Sequence, residues 1–183
     1  MKKIEIEIKG VSPYLMHKFG EANAQRKTKP KVGTPDYESE VDDALYKLPD
    51  GTIYVPSTQI HCSLMEAGKQ MKVVGKGKAT YSKLFGAFII IDPDVLPMLK
   101  QKWETDKRAV VVPSTRGRVM RYRPKFVEWG LKFNVIINDD EIHPSVIKEG
   151  LERAGNFCGI GDFRPQKKGP FGRFQVVSFK EKE

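Results

Sequence analysis

Ile4, Ile6 and Ile8 alternate with Lys3, Glu5, Glu7 and Lys9 at the start of the chain. Far downstream, Trp129, Leu131, Phe133, Val135 and Ile137 alternate with mostly polar residues. A period of two sends successive side chains to opposite faces. Each segment therefore predicts a strand with one face in the core and the other in water. Gly10 and Pro13 end the first strand, and Tyr14 to Phe19 reads as a short turn or helix.

The intervening signals come in a definite order. "GTIYVPSTQIHCSLMEAGKQM" reads as a strand running into a helix. Pro56 and Ser57 or Thr58 supply its start, and Ile60, Leu64, Met65 and Met71 line one side. Residues 85–91, "FGAFIII", read as a second buried strand. In "VLPMLKQKW", Pro97 limits any helix to a short one or one that begins there. Lys107 to Val112 and Arg116 to Arg123 read as a hairpin around the turn "PSTRG". Pro144 opens a helix with Ile147, Leu151 and Ala154 on one face, and Phe174 to Phe179 is the last strand. Residues 20–37 read as a mobile loop and Glu38 to Leu48 as a short helix. There is no internal repeat. The order strand, helix, strand, strand, helix, strand predicts an α+β fold: a split-βαβ, ferredoxin-like sandwich with helices on one face of an antiparallel sheet. One domain over residues 1–183 is expected, with a flexible insertion at 20–50 and a basic hairpin insertion at 107–126.

Charge narrows the partners. Lys and Arg number 32 against 23 Asp and Glu, a net charge of +9. Such a surplus favours a polyanion, nucleic acid before an acidic membrane surface. Cys62 and Cys158 stand apart with no Cys/His cluster, so no zinc site is expected, and their apolar neighbours predict two buried thiols. The first residues lack the apolar run of a signal peptide, and no stretch is apolar enough to span a bilayer. A cytoplasmic protein is expected.

Three segments carry the candidate chemistry. The first is the loop "GIGDFRPQKKGPFGRF", with Gly159, Gly161, Gly169 and Gly172 beside Arg164, Lys167, Lys168 and Arg173. Glycines let backbone amides approach a phosphate or another chain segment. The second is "TRGRVMRYRPK". Arg116 and Arg118 share one strand parity; Arg121, Arg123 and Lys125 share the other. A bulge at Val119–Met120 would put all five on one face for phosphate contact. Tyr122 and Phe126 either stack on bases or point into the core. The third is the start of the first helix, where Ser57, Thr58 and Gln59 either take a phosphate on free amides or cap the helix. His61 reads as structural, and His143 as a cap before Pro144.

Two of these segments, with the opening of the chain, resemble a known family. The glycine loop before the last strand resembles that of the repeat-associated mysterious protein (RAMP) superfamily of CRISPR systems. "YVPSTQIHCSLMEAGK" resembles its strand–proline–helix motif, and "IEIKGVSPYLMH" the first strand and turn of its backbone subunits. The resemblance implies an RNA-binding protein without cofactor or metal, not an enzyme, whose copies line up along a guide RNA. Implied partners are single-stranded RNA, a single-stranded DNA target, further copies of the chain and other effector subunits, but no membrane. It also implies two other roles to weigh. His17 lies near where metal-independent RNA endonucleases of the superfamily carry a histidine, a general base for a ribose 2′-hydroxyl. Asp36, Asp42 and Asp43 lie in or near the mobile loop; some backbone subunits of the superfamily cleave RNA with a loop aspartate and a divalent ion, and no local motif here distinguishes that role from solvated acid. A single-strand binder of a phage or mobile element is the remaining alternative.

Overall fold

The three isoleucines of the first strand are fully buried, and they fix the middle of the sheet. Their complete burial contributes roughly 1.5–3 kcal/mol each. The computed structural model describes residues 1–18, 41–111, 116–140 and 142–182. Its elements are β1 (Lys2–Gly10), β2 (Tyr14–Leu15), β3 (Tyr54–Pro56), α1 (Ser57–Gly68), α2 (Tyr81–Phe88), β4 (Ile89–Asp92), β5 (Val95–Pro97), β6 (Glu104–Val111), β7 (Arg118–Phe126), β8 (Gly130–Ile137), α3 (Pro144–Arg153) and β9 (Phe174–Lys182).

The main sheet has the order β4-β8-β1-β9 with every pair antiparallel. Ile4, Ile6 and Ile8 lie opposite Val135, Phe133 and Leu131. This face packs with Ile60 and Leu64 of α1 and Ile147 and Leu151 of α3 in one core. The topology is ferredoxin-like, an α+β sandwich with one helical layer. The other sheet face carries Lys3, Glu5 and Glu7 beside Lys132, Asn134 and Lys182. Several of its charges pair with one another: Lys3 with Asp92 at 3.4 Å, and Glu5 with Lys132 at 3.2 Å and Lys182 at 2.7 Å.

A second sheet, β2-β7-β6, and a two-stranded pair, β3-β5, flank this sandwich. The basic hairpin is thus two strands of a three-stranded sheet. Its register runs unbroken from Glu104 opposite Lys125 to Val111 opposite Arg118. The bulge expected at Val119–Met120 does not form.

Several local expectations are corrected. Residues 85–88 belong to α2, and the strand begins only at Ile89. Tyr81, Phe85 and Phe88 follow a helical spacing and pack toward the core, so the unbroken apolar run hides a change of period. No helix forms at Pro97; it ends β5, paired with β3, at a strand terminus that proline tolerates. Tyr14 and Leu15 form β2 against Phe126 and Lys125 rather than a turn or helix. Met71 is buried but lies beyond the end of α1. Cys158 is buried, whereas Cys62 is exposed. Of the insertion at 20–50, residues 20–40 lie outside the described residues, as do Phe19 and residues 113–115 of the hairpin turn. Residues 41–50 are described, and Val41, Ala44 and Leu45 are buried, so this part is anchored on the domain.

Candidate nucleic-acid interface

The glycine loop owes its shape to contacts within the chain. After α3 a wide turn of π type spans Ala154–Cys158, and Gly159, Gly161 and Gly172 then adopt φ of 68°, 80° and 72°. Such angles favour glycine. A β-carbon on Gly161 would run into the Tyr14 ring and the Leu15 carbonyl, and one on Gly172 would meet the Ile160 carbonyl. The amides are occupied as well. Gly159 donates to Ala154 at 2.7 Å, Gly169 to Arg164 at 3.0 Å and Gly172 to Pro13 at 2.8 Å. These three amides therefore form no open anion cradle, contrary to the sequence expectation. The close approach that the glycines permit is to β2 and to the loop itself.

Side chains dock the hairpin onto this loop. Arg123 is buried and donates to Asp162 at 2.6 Å, while its second terminal nitrogen lies 3.5 Å from Asp106. The latter distance is an ion pair without a hydrogen bond. Arg108 donates to Asp106 at 2.8 Å and covers the Phe171 ring at 4.6 Å. Burial would push the Asp162 carboxyl up. The bond from Arg123, its charge, the Phe163 N–H at 2.9 Å and the nearby His17 outweigh that and hold it below the usual range. Arg123 is thus a structural ion-pair partner rather than an open phosphate contact.

The start of α1 closes the third side. Ser57 donates its hydroxyl to Asp94 at 2.7 Å, and no side chain caps the helix. Thr58 is exposed. Gln59 accepts the Tyr14 hydroxyl at 3.0 Å. Ser63 donates to the Gly159 carbonyl at 2.9 Å and so ties helix to loop.

Two adjoining clefts result. The smaller, about 330 Å³, runs between α1 and the glycine loop and is lined by Thr58, Gln59, Cys62, Gly161 and Arg164. The larger, about 450 Å³, lies between the loop and the hairpin and is lined by Arg108, Arg121, Arg123 and Phe163. His17 and Asp162 border both. The fold thus gathers Thr58, Gln59, His17, Arg121, Arg123, Gly161 and Arg164 from separate segments.

Other expected residues lie elsewhere. Arg116, Arg118, Lys167, Lys168 and Arg173 are exposed outside the clefts, with Arg173 donating to the Asn156 carbonyl. Lys125 pairs with Glu104 at 2.6 Å. Tyr122 is half-buried, with Lys107 over its ring at 5.5 Å. Phe126 is fully buried and stacks on nothing outside the core. His61 lies 3.3 Å from the Phe85 carbonyl, and His143 accepts the Ser145 amide as a helix cap. Asp36 falls outside the described residues, and Asp42 pairs with Lys47 at 2.9 Å. Among the described residues, no three His, Cys, Asp or Glu side chains are grouped to hold a metal ion. No described helix is long and apolar enough to cross a membrane. Sequence reasoning missed Asp162, Arg108 and Phe163. The signal for Asp162 was present: it is the one acid inside a basic glycine loop.

No protein-family model matches the chain, and no curated protein matches it in sequence. Among solved structures, the fold is similar to a chain in the cryo-EM structure of the Type III-B Cmr-beta bound to cognate target RNA. The TM-score is 0.62 over 98% of this chain, at 11% sequence identity. The likeness is one of fold. This chain spans 60% of the length of that neighbour.

Proposed function

We propose that this protein is a cytoplasmic, RAMP-like binder of single-stranded RNA, a backbone-type subunit whose copies line up along a guide RNA in a CRISPR effector complex. One observation carries the reading. Three polar or basic segments, remote in sequence, converge on two adjoining clefts. The main sheet's open face is a poorer platform, because several of its charges are paired and its described cross-strand positions carry no aromatic ring for stacking. The sequence resemblance and the fold shared with a chain of an RNA-bound assembly point the same way. Other effector subunits and a single-stranded DNA target are the further partners of this reading.

The test is binding of labelled RNA at several salt concentrations. Arg121 is exposed and borders the larger cleft. Arg121→Ala should weaken binding and lower the salt slope by about one unit per lost phosphate contact. An unchanged affinity and slope would remove the hairpin from the interface. Particle mass should climb stepwise with RNA length, because one small domain covers few nucleotides. A constant single copy per RNA would leave a simple single-strand binder of the phage or mobile-element kind.

A second reading, metal-independent RNA cleavage, is favoured by the position of His17 on both clefts beside Asp162. RNA cleavage that disappears in His17→Ala would replace the binding-only role.

A further inference from the structure

The smaller cleft is the less basic of the two. Asp162 borders both clefts, and its carboxylate repels a phosphate. Arg108, Arg121 and Arg123 line the larger cleft against it, whereas the smaller is lined by Arg164, which donates to the Gly161 carbonyl and to Gln166. One Asp162 oxygen takes the Arg123 guanidinium at 2.6 Å and the other takes the Phe163 N–H at 2.9 Å. Each carboxylate oxygen has two lone pairs, so each has capacity for one further donor. Gln59 has the opposite character. Its carbonyl oxygen holds the Tyr14 hydroxyl, so the amide N–H group is what it can offer the cleft. Thr58 adds an exposed hydroxyl. An acceptor facing donors suits a hydroxyl, which both gives and takes a hydrogen bond. It does not suit a phosphate, which only accepts. Acidic side chains recognise ribose hydroxyls elsewhere by the same chemistry. Next door, past His17 and Asp162, the larger cleft supplies Arg121 and Arg108 for the adjacent phosphate.

We propose that the smaller cleft seats a ribose and reads its 2′-hydroxyl through Asp162 and Gln59, so that the chain selects RNA over DNA. The proposal rests on the reading of the protein as a single-strand binder. The 2′-hydroxyl is the one group in a strand that distinguishes the two polymers at a sugar.

The experiment compares three labelled strands of one uridine-rich sequence: RNA, its deoxyuridine counterpart and its 2′-O-methyl form. Fluorescence anisotropy gives the three affinities at one salt concentration. RNA should bind about tenfold tighter than DNA, the size of one charge-assisted hydrogen bond, and the methylated strand should behave as DNA. Asp162→Ala should bring RNA and DNA to within about twofold of each other while DNA affinity holds or rises, because a repelling charge has gone. Gln59→Ala lies outside the Arg123 ion pair and should narrow the same ratio, which covers the case in which the Asp162 variant fails to fold. Equal binding of RNA and DNA by the native chain would overturn the proposal and leave the single-strand reading intact. So would a ratio unchanged in both variants. No binding to any strand would overturn both.

Discussion

Replacing Arg123 with alanine separates a structural cation from a nucleic-acid contact. The guanidinium is buried between Asp106, whose side chain is 5% exposed, and Asp162, whose side chain is 39% exposed. Removing one partner of a buried ion pair costs about 3–5 kcal/mol, because the other charge stays buried and uncompensated. Two features place this case at the low end. Water reaches Asp162, which screens it, and the contact to Asp106 is a loose 3.5 Å. A loss of about 3 kcal/mol is expected at about pH 7, which in a chain of this length lowers the melting temperature by about 6–12 °C. The pH dependence follows from Asp162. Its folded-state pKa is depressed, so its contribution is present above a carboxyl's usual value and is lost as pH falls through the folded one. Alanine at 123 removes the bond that depresses it and leaves burial, which acts in the opposite direction. The gap between native and variant melting temperatures should therefore be widest near neutrality and shrink as pH falls below a carboxyl's usual value and through the depressed folded-state one. Circular dichroism melts across this range measure it. Adding Asp162→Asn to the variant should recover part of the loss. A neutral-pH melt within about 2 °C of the native chain, or a gap that does not change with pH, would refute the ion-pair argument.

Two further outcomes test the loop and the cleft. Gly172→Ala should lose about 2–4 kcal/mol, because it adds left-handed strain to a clash with the Ile160 carbonyl. Gly51→Ala, at φ 88° with nothing within 4 Å of the added carbon, should lose only the strain of about 1–2 kcal/mol; equal urea midpoints would argue against the clash. Under native conditions a thiol reagent should label Cys62 and leave Cys158 until the chain unfolds, since only Cys62 is exposed. A bulky label there should also weaken RNA binding, because Cys62 lines the smaller cleft; labelled protein that binds as before would place RNA elsewhere.

The sheet was legible where burial alternates cleanly. β1 and β8 each present one face to the helices, and the period of two shows it directly. α2 was not legible. Its apolar side chains run without interruption into β4, so the change from a helical to a strand period leaves no polar residue to mark it. The basic hairpin shows a different limit. Strand parity groups Arg121 with Arg123, yet one is exposed and the other buried. The carboxylates that decide this are Asp106, on the facing strand, and Asp162, which is 39 residues away and reaches Arg123 only through the tertiary fold.

The glycine loop shows why composition points to the right place and the wrong atoms. Four glycines among basic residues suggested backbone amides free to bind an anion. The fold uses those glycines for passage instead: Gly161 slides past Tyr14, and Gly172 past Ile160. Their consequence for binding is indirect. Because the backbone lies against β2, with the Asp162 amide donating to Leu15 at 2.9 Å, Asp162 is presented between α1 and the hairpin. Arg164 is held there too, by its bond to the Gly161 carbonyl at 3.0 Å. Contacts from this loop to a strand therefore come from side chains that the glycines position. Loop shape and loop chemistry then reside in different residues. Glycine substitutions should act through stability, and substitutions of Asp162 or Arg164 should also alter which strand is bound and how salt weakens it.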